Sequence, residues 1–145
     1  MWLCPKCKAR FYNKNQSHSC GDFSLQKFLT NRPEASINLF RHFLSEYRKI
    51  GPFDLHVVKT RVALLTKMRF CAINKMARDY IDVHLVLTQP FVEQDCFRKI
   101  ENIGDRFFVH HLRIKSKENI NREVKKFMKL AYDTGNRLHI KKQNR

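Results

Sequence analysis

Two close pairs of soft ligands stand in the first twenty residues: Cys4-Pro5-Lys6-Cys7 and, after ten intervening residues, His18-Ser19-Cys20. A segment this short has almost no core of its own, so a tetrahedral ion held by Cys4, Cys7, His18 and Cys20 is the means by which it can fold. Zinc suits thiolate and imidazole ligands and makes no redox demand. Structural zinc contributes roughly 10–16 kcal/mol in small peptides at neutral pH, enough to order such a segment. Trp2, Leu3, Phe11 and Tyr12 would pack around the site. The competing reading, a redox C-x-x-C, needs a βαβ context that a pair so near the N-terminus lacks, and three cysteines leave one thiol over. With all four positions filled by protein, the expected role of the single ion is structural.

The remainder of the 145 residues is long enough for one domain with a real core. Asn31-Arg32-Pro33-Glu34 is a helix-start signal. The helix that follows places Ile37, Phe40, Phe43, Leu44 and Tyr47 on one face and ends at Gly51-Pro52. Strands are expected over 55–58, 62–66, 70–76 and 81–87. In the last of these Ile81, Val83, Leu85 and Leu87 alternate with Tyr80, Asp82, His84 and Val86, the pattern of a sheet with one wet face. A short helix is expected around Asp95 to Glu101, a strand over Phe107 to Ile114, and a final helix capped by Ser116 and stopped near Gly135. Its buried stripe is Ile120, Val124, Phe127, Met128 and Ala131. The reading is a zinc ribbon at 1–22 and a basic α+β domain at 23–145, with helices on one face of a mostly antiparallel sheet.

Lys and Arg number 29 against 13 Asp and Glu, a formal charge of +16. Only residues 88–105 reverse the balance, with two cations and four acids. Such a field attracts polyanions, and nucleic acid is the first expectation. Odd numbering puts Lys59, Arg61, Lys67, Arg69 and Lys75 on one sheet surface as candidate phosphate ligands, with Arg122, Lys125 and Lys129 on the last helix as a second contact. Phosphates would meet these cations while the ribbon, through Lys6, Lys8, Arg10, Phe11 and Tyr12, offers rings for stacking on unpaired bases.

His56, His84, His110 and His111 fall on expected strands, where a histidine more often completes a polar layer than binds metal. Neighbours such as His110 and His111 point to opposite faces. Cys71 and Cys96 read as small buried apolar residues. There is no phosphate-cradling glycine loop, no H-E-x-x-H and no G-x-S-x-G, and Asp54, Asp79, Asp82 and Glu93 are not gathered by spacing. No reaction can be read from these residues. The odd number of cysteines, with no apolar leader and no apolar run of ~18 residues, leads to the expectation of a reduced, cytoplasmic protein.

The ribbon residues, together with Gly51-Pro52-Phe53, His56, Lys59-Thr60-Arg61, Met68-Arg69-Phe70, Asn74 and His110-His111, resemble an uncharacterised bacterial family, domain of unknown function 5655, here with an N-terminal zinc ribbon. More distantly the α+β part resembles the YdhG-like domains, some of them described as frataxin-like iron chaperones. That likeness implies a fold, with a small-ligand or metal-carrying module as the alternative function, although iron carriage wants an acidic ridge and this chain is poor in acids. Ribbons of this kind place Gly after the second cysteine, where this chain has Lys8. If that position is left-handed, Lys8 costs roughly 1–2 kcal/mol, which bound metal could override.

Overall fold

The computed structural model describes residues 2–5, 8, 10–11, 13–14 and 24–138. Strands β1 (Trp2–Leu3) and β2 (Arg10–Phe11) form a two-stranded antiparallel hairpin. Helices α1 (Leu25–Leu29) and α2 (Glu34–Ile50) follow. Strands β3 (Asp54–Val57), β4 (Val62–Leu65), β5 (Arg69–Met76), β6 (Ile81–Leu87), β7 (Lys99–Ile103) and β8 (Phe107–Ile114) come next, and α3 (Arg122–Gly135) closes the fold. The six longer strands make one antiparallel sheet in the order β3-β4-β5-β6-β8-β7. No helix among the described residues is long and apolar enough to cross a membrane.

The helices form where sequence chemistry allows them to start. Pro33, extended at φ −60°, is the N-cap of α2, and Glu34 places its charge at the positive end of the helix dipole. Asn121 Oδ1 accepts from the Val124 amide 2.9 Å away and so begins α3. Ser116 instead starts a single 3-10 turn at Lys117–Asn119, one step before the helix it was expected to cap.

All three helices pack on one face of the sheet. Phe40, Phe43, Leu44 and Tyr47 from α2, Val124, Phe127, Met128 and Ala131 from α3, and Phe28 from α1 meet Val62, Leu64, Cys71, Ile73 and the odd residues 81–87 in one apolar core. Tyr47 is buried with its hydroxyl donating to the Met128 carbonyl oxygen at 2.8 Å, so it unites α2 with α3 while the hydrogen bond offsets the hydroxyl's lost hydration. Gly135 allows α3 to close on the β4–β5 turn. A Cβ there would stand 2.4 Å from the Phe70 ring, and the Met68 amide donates to the Gly135 carbonyl at 3.0 Å.

One expected element is wrong. Residues 95–101 do not form a helix; Lys99–Ile103 is strand β7, paired with β8 through a tight hairpin. Gly104 at φ 65° and Asp105 at φ 60° are both left-handed, the requirement of a reversed turn, and Asn102 accepts from the Asp105 amide at 2.8 Å. The turn chemistry and the adjacent β8 edge outweigh the weak helical leaning of 95–101.

Candidate functional site

The side of the sheet away from the helices has two halves. Over β3, β4 and β5 the N-terminal hairpin lies against it. Phe11 is buried with its ring edge-on to His56 at 5.3 Å, the Arg69 guanidinium sits 4.2 Å above that ring, and Arg10 forms an ion pair with Asp54. Arg69 Nη2 also donates to His56 Nδ1 at 2.5 Å, which leaves the imidazole proton of His56 on Nε2. Ala63, Leu65 and Ala72, small or apolar on this same side, are buried here and take no part in the helical core.

The other half is polar. His84 of β6 lies directly across from His111 of β8, with ring centroids 5.6 Å apart. Asn74 Nδ2 donates to His84 Nδ1 at 2.7 Å, and His111 Nε2 donates to Glu101 Oε1 at 2.5 Å. Burial pushes the His84 imidazolium down to about 4, helped by the neighbouring His111 and Arg61. The hydrogen bond from His111, and then Lys99, hold the Glu101 carboxyl below the usual carboxylate range. One row further, Arg113 grips Asp82 with two hydrogen bonds of 2.8 and 3.1 Å and covers the Tyr80 ring at 3.8 Å.

Two irregularities in β5 decide which side chains reach this surface. The register with β4 shifts at Phe70, and that with β6 shifts at Asn74. Each bulge inserts one residue and resets the alternation. Cys71 and Ile73 therefore face the helices while Arg69 and Lys75 face away, although all four numbers are odd. Asn74 and Lys75 both reach the open side, and Lys75 lies 5.7 Å from the Tyr80 ring.

The five expected phosphate ligands thus separate into three groups. Lys59 and Arg61, both exposed, flank the β3–β4 turn, whose Val58 amide donates to the Arg61 carbonyl at 3.0 Å. Val62 pairs with Ile73, so Arg61 lies at the level of Asn74 and on the same sheet end as Lys75 and the exposed Arg78. Lys67 is at the opposite end, in the β4–β5 turn. Arg69 is engaged by the N-terminal hairpin. None of Lys59, Arg61, Lys75 and Arg78 forms an ion pair with a described carboxylate.

This sheet and its helices are the part of the chain for which a relationship exists: residues 25–135 match a family described as Domain of unknown function (DUF5655). The chain belongs to the DUF5655 family. Among curated proteins and among solved structures nothing matches it. The DUF5655 match begins at the first residue of α1, so it takes in Asn74, His84, Glu101, His111 and the cations, and stops short of the ribbon ligands.

Of those ligands Cys7, His18 and Cys20 lie outside the described residues. Cys4 is described and buried, and the Lys8 amide donates to its carbonyl at 2.8 Å. Lys8 is left-handed at φ 64°, the conformation in which ribbons place Gly. Among the described residues of this DUF5655 chain no three His, Cys, Asp or Glu side chains are close enough to hold a metal.

The remaining candidates are placed as follows. His110 faces the helices: its Nδ1 donates to the Phe108 carbonyl at 2.8 Å, its Nε2 accepts from the Phe91 amide at 3.1 Å, and Phe97 packs on its ring at 4.7 Å. Burial lowers its pKa, and both nitrogens are satisfied in a neutral ring. On α3, Lys125 pairs with Glu46 at 3.3 Å and Lys129 with Asp133 at 2.7 Å, while Arg122 is exposed. Cys71 is buried with its thiol pushed up by burial, and burial raises Cys96 to about 11. The grouping of Asn74, His84, Glu101 and His111 was not anticipated from sequence as a unit. The signal available was the pairing of alternating polar positions in two strands, and it needed the β6–β8 adjacency to become visible.

Proposed function

We propose that this protein binds nucleic acid, or a polyanion of similar charge density, along the sheet end that carries the β3–β4 and β5–β6 turns, and that zinc holds its N-terminal segment together. The observation behind the first part is the cluster of Lys59, Arg61, Lys75 and Arg78 at one end of the open sheet side, all exposed and none paired with a described carboxylate, on a chain of charge +16. Exposed cations without acidic partners keep their full attraction for phosphate and release counterions on contact. The ring of Phe11, expected to offer itself to unpaired bases, is instead buried against His56 and Arg69, so the proposal rests on the cations alone.

The test is the anisotropy of a labelled single-stranded oligonucleotide over a salt series. The logarithmic salt slope should be about 0.7 per phosphate contacted. Reversing Lys59 and Arg61 to Glu should weaken binding at least tenfold, while reversing Lys125 and Lys129, already paired, should change it little. Equal losses from both pairs would reduce the surface to nonspecific charge. For zinc, the support is the Cys4 turn with left-handed Lys8. Elemental analysis of purified protein should give one zinc per chain, lost in Cys4→Ser. The distant YdhG-like likeness and its metal-carrying alternative have no acidic cluster among the described residues behind them.

A further inference from the structure

A cavity of about 420 Å³ opens between α1 and β3, on the flank of the sheet rather than on its open side. Lys27, Arg32 and Lys59 stand around it, Phe28, Val57 and Val58 form its apolar floor, and no carboxylate is among the described residues that line it. Three cationic side chains thus line a space of ligand size beside an apolar patch.

Arg32 is the decisive residue. Its Nε donates to the Phe28 carbonyl at 2.9 Å, and its guanidinium lies 4.5 Å over the Phe28 ring. The side chain is half-buried and fixed in place before any ligand arrives, with both terminal amino groups uncommitted to a described carboxylate. A guanidinium tied back by Nε and stacked on a ring presents its two remaining nitrogens as a planar fork, the arrangement that grips a phosphate with two parallel hydrogen bonds. Its conformational entropy is already lost on folding, so little more is lost on binding.

We propose that this cavity binds a phosphate monoester carried on a nucleotide-sized organic body: Arg32 holds the phosphate, Lys27 and Lys59 complete its charge, and Phe28 with the two valines receives the apolar face of the body. The proposal shares only Lys59 with the polyanion surface, so each can fail without the other. A phosphate monoester of this size exists as a free nucleotide or as the phosphorylated end of a strand, and the experiment separates the two.

Calorimetric titration of the full chain with adenosine 5′-monophosphate should show binding in 0.15 M salt, with inorganic phosphate weaker and adenosine showing none. Arg32→Gln and Lys27→Gln should each weaken the nucleotide at least tenfold. Lys27 is exposed on α1, so its variant decides the matter even if Arg32→Gln fails to fold, as checked by thermal melting. Oligonucleotides with and without a 5′-phosphate form the second arm. A preference for the phosphorylated strand that disappears in the Arg32 or Lys27 variant identifies the strand end as source, and nucleotide binding without such a preference identifies the free nucleotide. Arg61→Glu with Lys75→Glu should weaken both oligonucleotides and leave the nucleotide titration unchanged. Equal affinity for adenosine and its monophosphate, no binding below millimolar nucleotide, or undiminished binding in folded Lys27→Gln would each overturn the proposal.

Discussion

The two sides of the six-stranded sheet are held by different forces. Toward the helices, Phe40, Phe43, Tyr47, Phe127 and their strand partners exclude water over a continuous apolar core, and the one hydroxyl among these four, that of Tyr47, has its acceptor. On the open side the contacts are a cation over a ring, an ion pair and a chain of imidazoles. Area burial dominates the first, and hydrogen-bond geometry and protonation state dominate the second. A side built in the second way depends on pH and salt, and it keeps polar groups within reach of a ligand.

The largest effect should come from the apolar side. Phe43→Ala removes a side chain with no exposure and should cost about 3–5 kcal/mol, read as a lower midpoint in urea unfolding with little change in slope. A loss under 1 kcal/mol would mean that the core relaxes around the gap.

The next largest is a pH effect on the open side. The folded state holds His84 at about 4 against an ordinary 6.5, so the unfolded chain binds the extra proton between those values. Its stabilising contribution is complete above pH 6.5 and is lost as pH falls toward 4, a total of about 3 kcal/mol. Glu101, held low by His111, acts in a lower window, with its contribution lost below its ordinary carboxylate value. Thermal melting at pH 7 and pH 4.5 should show a large drop in the native protein and a distinctly smaller one in His84→Asn. The same drop in both would place the acid sensitivity elsewhere.

Phe11→Ala should be smaller, about 1–2 kcal/mol, because it releases the hairpin from Arg69 and His56 without opening the helical core. The expected result is faster proteolytic cutting near the N-terminus with the main melting transition retained. Smallest of all should be the Arg113–Asp82 pair: although two-pronged, both side chains are nearly a quarter exposed, and a double-mutant cycle with Arg113→Gln and Asp82→Asn should return about 1 kcal/mol or less. A coupling well above that would make this end of the sheet more rigid than its exposure implies.

The two sides also differ in how far they can be read from sequence. The helix face is written in periodicity: Ile37 to Tyr47 and Ile120 to Ala131 repeat at helical spacing, Ile81 to Leu87 alternate, and these residues lie in the core or pack against it. The open side depends on register. Parity alone puts Arg69, Cys71, Ile73 and Lys75 together, and only the bulges at Phe70 and Asn74 separate them. The His84, His111 and Glu101 cluster joins strands that are not successive in the chain, since β8 enters between β6 and β7. Strand β7 was missed because Lys-Ile-Glu-Asn-Ile carries no strong strand pattern, although Gly104-Asp105 after it was a usable turn signal. Of the four ribbon ligands only Cys4 lies among the described residues, and Arg10 and Phe11, read from sequence as offering charge and a ring to nucleic acid, are instead engaged with Asp54, His56 and Arg69.

The place of β8 also bears on the order in which the chain can assemble as it leaves the ribosome. Strand β7 is synthesised before β8 but pairs with β8 alone. Until β8 has emerged, β6 has a partner only on its β5 side, and β7 has no sheet edge of its own to join. The β7–β8 hairpin can close locally once β8 is made, but the β6–β8 ladder has to close across the whole 88–106 segment. That interval leaves the edge of β6 bare on a nascent chain, and the acidic balance of residues 88–105 in an otherwise cationic sequence falls on the very stretch that waits beside it.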